Sequence, residues 1–330
     1  MRGPNGVIKN VAETQGTLML PFLRPKVHDG WMAVAWVEGR FDLAHVHRVP
    51  GRKPEVTLLH SCPRSGEDDY TLRSLRKELG LGHYRCTALL DDGEYQMLQV
   101  EPPQVPAEEL RDALRWHIKD ALSYPAASAN LDLLEIPAQP GSNARRRQVW
   151  AIAADRTLLA HRASSFAQAG LQLAAIDIPE LAQRNIAALF EEEGLGLALL
   201  SFDAAGGMLS FTHGGELYAL RRIDTPMGQL AGAEATQREA LFGHIALEAQ
   251  RSLDNFDRQF GHINVRRLLV TPLPESFAFV QYLREFLSVS VDELDLAEVL
   301  DFPALPELAL PLQQTRYLKV IGAALRDAAN

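Results

Sequence analysis

The chain has 330 residues, 47% of them hydrophobic, and a formal charge of −9. That length and apolar content suffice to bury a large core in two domains of ordinary size. The acid excess excludes general nucleic-acid binding, which needs a basic face; the one tight basic run is Arg145, Arg146 and Arg147. Two cysteines, Cys62 and Cys86, with no CxxC pair fit a reduced, cytoplasmic setting rather than a disulfide framework or a metal site. No stretch approaches the roughly 18 apolar residues of a membrane span, and the N-terminus lacks a signal peptide's apolar core, so membrane association is expected only through a partner or a surface segment.

Residues 1–29 carry no clear periodicity before the apolar run 18–23, which Arg24 and Lys26 close. They read as a tail, or alternatively as a tethered peptide that docks in a groove of the same chain or touches a membrane surface. A three-strand meander follows, with strands over 32–37, 41–47 and 56–61 and turns at Glu38 and Gly39 and at 49–54. Leu72, Leu75 and Leu79 at helical spacing predict a helix over 69–80 that stops on Gly80. Strands over 84–90 and 95–100 read as a hairpin through Asp91, Asp92 and Gly93, because an Asp-Gly step favours a tight turn. Pro106, the acidic Glu108 and Glu109, and the stripe Leu110, Leu114, Ile118 and Ala121 predict a helix over 106–122. Strands over 131–136 and 148–154, a helix over 157–169, a buried strand over 171–178 and a helix opened by Pro179 complete this part.

The stretch 196–223 repeats the meander, three short apolar runs broken at Asp203 to Gly207 and at His213, Gly214 and Gly215. After Gly228 the spacing of Phe242, Ile245, Ala249, Leu253 and Phe256 predicts a long helix over 233–256. A strand over 265–270, a helix over 275–287, a strand over 289–294 and a closing helix over 317–328 follow. The repeated order of three strands, helix, strand, helix, strand implies an internal duplication and a mixed-sheet α/β fold with helices on the faces. The expected division is a tail at 1–29, a first half at 30–190 with an inserted subdomain over about 84–155, and a second half at 191–330.

Four stretches resemble a known family: Glu248-Ala-Gln-Arg-Ser-Leu-Asp-Asn-Phe256, Gly214-Gly-Glu-Leu-Tyr-Ala-Leu-Arg-Arg222, the 105–122 segment with Tyr124 and Pro125, and Tyr317-Leu-Lys-Val-Ile-Gly-Ala-Ala-Leu-Arg326. They are similar to PilM-type pilus-assembly proteins and, within that family, to the MshI branch of the mannose-sensitive haemagglutinin (MSHA) type IV pilus system. The resemblance covers about residues 30–328. It implies a duplicated ribonuclease-H-like fold of the actin and Hsp70 ATPase type, with a small α+β subdomain inserted in the first half. It also implies ATP between the halves, and a groove between the first-half core and the inserted subdomain that holds the cytoplasmic tail of a PilN-like bitopic membrane protein.

Carried over loop by loop, the nucleotide site looks worn. The family's first phosphate turn has an Asp-x-Gly step, where this chain reads Trp36, Val37, Glu38 and Gly39, with an indole where backbone must approach closely. The second keeps Asp203, with Gly206 and Gly207 shifted by a residue, and Gly228 follows. The third, a Gly-Gly beside adenosine, is Pro272, Leu273 and Pro274 here. Two lost contacts at about 1–3 kcal/mol each would weaken a micromolar site by orders of magnitude. Asp203, Gly206, Gly207 and Gly228 are therefore the residues that would touch ATP and magnesium if either binds, and no resident cofactor and no ATP hydrolysis are expected.

GxxxxGK[ST], GxGxxG, GxSxG and HExxH are all missing, which removes the commonest phosphate, hydrolase and zinc signatures. His45 and His47 share a strand face but have no third ligand nearby, and Asp292, Glu293, Asp295 and Glu298 read as solvated surface. Of four tryptophans, Trp116 on the subdomain helix, with Tyr124 beyond it, is the expected aromatic rim of a peptide groove. The leading expectation is a non-catalytic cytoplasmic adaptor of a pilus or type II-like secretion platform, peripheral to the inner membrane through a PilN-like tail and other assembly proteins. The competing expectation is an ATP-binding switch of the same fold; a sugar- or acetate-kinase-like enzyme is disfavoured, because no general base can be placed beside the first phosphate loop.

Overall fold

The computed structural model describes residues 28–138, 148–274 and 276–326; the segment 1–27, read above as part of a tail, lies outside the described residues. Strands β1 (Trp31–Val37), β2 (Arg40–His47) and β3 (Glu55–Pro63) form the first meander, followed by helix α1 (Asp68–Leu79) and strand β4 (Arg85–Leu89). Next come β5 (Tyr95–Val100), α2 (Leu110–His117), β6 (Ala129–Glu135), β7 (Val149–Asp155), α3 (Arg156–Gln168), β8 (Gln172–Asp177) and α4 (Pro179–Phe190). The later part runs β9 (Gly196–Phe202), β10 (Gly207–His213), β11 (Glu216–Ile223), α5 (Met227–Gly232), α6 (Ala235–Phe260), β12 (Val265–Val270), α7 (Ser276–Phe286), β13 (Ser290–Glu293) and α8 (Pro311–Ala324).

These strands make two five-stranded sheets of the same plan, β3-β2-β1-β4-β8 and β11-β10-β9-β12-β13. In each, an antiparallel meander is extended by two parallel strands that need a crossover, and helices supply it. The internal duplication read from the repeated meanders is therefore present in the topology. The strands β5, β7 and β6 form a separate three-stranded antiparallel sheet.

The hairpin expected over 84–100 does not form. Strand β4 pairs in parallel with β1 and β8 inside the first sheet, whereas β5 pairs with β7. The three-stranded sheet therefore starts at Tyr95, not near residue 84. The physical reason is burial: Cys86, Ala88 and Leu89 fill the core on both faces of the first sheet, a demand that a solvent-facing hairpin arm does not meet. Two helices also differ. The segment predicted as one helix over 106–122 holds its α-helical geometry only across α2, with a 3₁₀ turn at 119–121, and α8 starts six residues before the expected Tyr317.

Alternation along β1 sets the layers. Met32, Val34 and Trp36 face one core cluster, which runs through both five-stranded sheets to α1, α3, α6 and α7. Ala33 and Ala35 face the other, where α4 and α8 lie between the two sheets with Ile186, Leu318 and Ile321. These middle helices approach at Gly322, where an added Cβ would stand 2.2 Å from the Ala182 carbonyl oxygen. Asn185 Nδ2 donates to the Gly322 carbonyl at 2.9 Å in the same crossing. Gln183 fastens α4 to the second sheet: its amide donates to the Leu199 and Met208 carbonyls and accepts from Ser201 Oγ. On the inserted sheet, Leu134, Trp150 and Ile152 join the main core, and Leu114 of α2 with Ile118 just after it covers the other face.

Candidate functional site

The parallel strands of both sheets end at a shared cleft, a cavity of about 560 Å³ bordered by the turn after β1, the turn after β9, the loop after β12 and α8. Clefts at strand ends between α/β halves are where ligands of such folds bind.

The first turn is a two-residue hairpin, with Glu38 at φ 44° and Gly39 at φ 79° and Val37 opposite Arg40. Trp36 borders the cavity, yet its indole is turned into the core and only 6% exposed. Its Nε1 donates to Asp68 Oδ2 at 3.0 Å, the Arg162 guanidinium lies 3.9 Å above the ring, and Phe41 and Phe166 pack against it. The indole expected where backbone must approach closely lies against the core instead, because strand alternation points position 36 to the face that carries Met32 and Val34.

The second turn is closed on itself. Asp203 Oδ1 accepts from the Ala205 and Gly206 amides at 2.8 and 3.1 Å, its own amide donates to the Gly206 carbonyl, and its carbonyl accepts from Met227 N. Its other oxygen, Oδ2, takes a hydrogen bond from Lys319 of α8. Burial opposes the Asp203 charge, but Lys319 and the two amides hold its carboxyl below the usual carboxylate range. The amides that would cradle a phosphate here already serve this carboxylate.

Gly206 is required by the turn, since φ is 141° and a Cβ would meet the Ile223 carbonyl oxygen at 2.6 Å; a Cβ on Gly207 would strike the Phe202 ring. Gly228 is placed elsewhere, in α5, beside a shallow depression with Gln229, Gly232 and Leu241, and it does not line the cavity that Asp203 lines. In the third loop the Pro272 carbonyl accepts from Thr315 Oγ1 at 2.7 Å and Thr271 N donates to Leu200 O, so this loop too is engaged internally.

Several charged residues in and beside the cleft were not singled out in the sequence. Lys319 lies 3.5 Å from Asp92 as well as on Asp203. Asp42, 1% exposed, stands 3.4 and 3.6 Å from the guanidinium nitrogens of Arg40 and Arg316. Arg222 donates to Asp92 at 2.9 Å and to Glu180 at 2.6 Å, and Tyr95 gives its hydroxyl to Glu180 at 2.6 Å. Lys319 as the only charge in the otherwise apolar run 317–325 was the one available signal, because a cation in a buried helix needs an acidic partner.

The two aromatic residues expected at a groove rim both lie on the inserted unit. Trp116 on α2 is 58% exposed. Tyr124 is half-buried, its hydroxyl has no partner among the described residues, and burial, then Asp155, push its phenol up to about 12. No ring contact joins the two among the described residues. His45 is buried, with Thr57 Oγ1 at 2.5 Å and the Asp29 carbonyl at 3.0 Å, while His47 ends β2 half-exposed. Among the described residues no cluster of three or more His, Cys, Asp or Glu could hold a metal ion, and no helix is long and apolar enough to cross a membrane.

Two sheets of one topology with a cleft between them and a small inserted sheet define an actin-like ATPase fold, and comparison with solved structures agrees. The chain is similar to a chain of the PilM–PilN type IV pilus biogenesis complex, at 17% identity and a TM-score of 0.67 over 92% of this chain and 99% of that one. It is also similar to a Bacteroides thetaiotaomicron protein of actin-like ATPase fold and unknown function, at 10% identity and a TM-score of 0.50 over 94% and 100%. A third match is the cytoplasmic domain of EpsL, an inner membrane component of the type II secretion system of Vibrio cholerae, at 12% identity and a TM-score of 0.49 over 91% and 96%. No family model matches the chain, and no curated protein matches it in sequence.

Proposed function

We propose that this protein is an actin-like adaptor of a type IV pilus assembly platform, of the PilM type and of its MSHA branch. It holds the cytoplasmic tail of a PilN-like inner-membrane protein in a groove beside the inserted sheet, and is thereby kept at the cytoplasmic face of the inner membrane with other assembly proteins. The likeness to a PilM–PilN chain along almost the whole length of both proteins is the observation that carries this reading. The self-closed Asp203 turn supports the adaptor form of it, because a cleft whose amides and lysine are already used has little left to offer a triphosphate.

The test pairs a binding measurement with a nucleotide measurement. A PilN-like N-terminal tail should co-purify with the protein and should be lost on Trp116→Ala; retention of the tail would remove Trp116 from the groove. Calorimetry with Mg-ATP should show no submicromolar binding. The 560 Å³ cavity favours one alternative, an ATP-binding switch that hydrolyses weakly or not at all. In that case tight Mg-ATP binding would appear and Asp203→Ala would abolish it.

A further inference from the structure

The short segment 91–94 joins the first sheet to the inserted one, and it is held from three sides. Asp92 Oδ1 accepts from Arg222 of β11, and Asp92 Oδ2 faces Lys319 Nζ of α8 at 3.5 Å. Glu94 takes the guanidinium of Arg162 from α3. Lys319 at the same time donates to Asp203 in the turn after β9. One ammonium, on a helix that packs against β1 and β2, therefore touches the carboxylate of the second sheet's cleft turn and that of the inserted sheet's entry.

We infer that Lys319 is an internal strut that ties the two sides of the cleft together and that, through Asp92, passes the state of the cleft to the inserted sheet. In folds of two halves around a cleft, a ligand that contacts both sides favours the closed state by its differential contacts there. Here a side chain of the protein makes those contacts. The pair is partly buried, with Lys319 22% and Asp203 31% exposed, so it is screened less than a surface ion pair. Without the ammonium, Asp92 and Asp203 would face each other across the cleft. Next to them Asp91 is pushed up by partial desolvation and by the charges of Asp92 and Glu94, while Lys319 pulls it down. Repulsion would then widen the cleft and leave the entry segment held by Arg162 and Arg222 alone.

Amide hydrogen exchange on the full chain, with no partner added, tests the strut. Lys319→Met should speed exchange at least tenfold in β5 and in the turn 203–206 while leaving β1 unchanged, and Lys319→Arg should restore most of the protection. Asp92→Asn keeps the Lys319 to Asp203 contact but weakens the Arg222 pair as well, so it should loosen β5 and spare the turn, and adding Lys319→Met to it should loosen β5 no further; the single Asp92→Asn variant serves if Lys319→Met folds poorly. Exchange that is unchanged, or faster by one factor throughout the chain, overturns the inference. Its bearing on tail capture rests on the adaptor reading: Lys319→Met should weaken the tail about tenfold, and an unchanged affinity together with a loosened β5 would break that link. A wild-type protein that binds no tail would sink the adaptor reading and leave the exchange result standing.

Discussion

At the scale of single residues, the buried polar groups behave according to what surrounds them. His45 is 4% exposed, and burial, reinforced by His28 and His47, pushes its imidazole down to about 4. The folded state thus keeps it neutral, and the stability that this contributes is present above the ordinary histidine range near 6.5. As pH falls from about 6.5 to about 4, the unfolded chain takes up a proton that the folded chain refuses, so stability drops across that window. Thermal melts of wild type and His45→Gln should show a gap at pH 7 that narrows by pH 4.5; a constant gap would mean the ring is not held neutral. Cys86 gives a second residue-level expectation. Burial pushes its thiol up to about 12, so a disulfide reagent should leave it untouched until the chain unfolds, while the half-buried Cys62 reacts first. Both cysteines were visible in the sequence, but their different exposure was not, since it depends on which strand is central.

Among the elements, the glycines separate structural need from ligand contact. Gly322→Ala would force α4 and α8 apart at their closest approach and should cost about 1–3 kcal/mol in urea unfolding. Gly206→Ala should cost a similar amount without any nucleotide, because its φ of 141° and the Ile223 carbonyl both exclude a side chain. Gly228→Ala should be neutral or should stabilise by up to about 1 kcal/mol, since nothing lies within 4 Å of its Cβ position and it sits in a helix. A ligand-independent loss at Gly228 with none at Gly206 would reverse this assignment. The meanders and the long α6 were legible from alternation and from a 3,4 spacing, both of which are local signals. The false hairpin over 84–100 had equally good local signals. Asp92 and Gly93 fit a tight turn, and only the competition among strands for a place inside the first sheet sends β4 and β5 to different sheets.

For the whole molecule, the arrangement separates a cleft whose turns are bonded internally from an exposed aromatic on the inserted unit. Trp116→Ala should leave the unfolding free energy within about 0.5 kcal/mol of wild type, because a side chain 58% exposed adds little to the fold, and yet should remove tail binding. Loss of stability without loss of binding would reverse that division. The sequence alone determined the duplication, the α/β class, the paired turns at 38–39 and 203–207, and the absence of common catalytic signatures, because periodicity, turn residues and motif spacing act over a few positions. The tertiary structure decided where Trp36 points, which strand the first sheet takes inside it, and that Lys319, Asp203 and Asp92 meet across 116 and 227 residues of chain. Those outcomes depend on which faces and charges two folded halves bring together, and nothing in the local sequence encodes that distance.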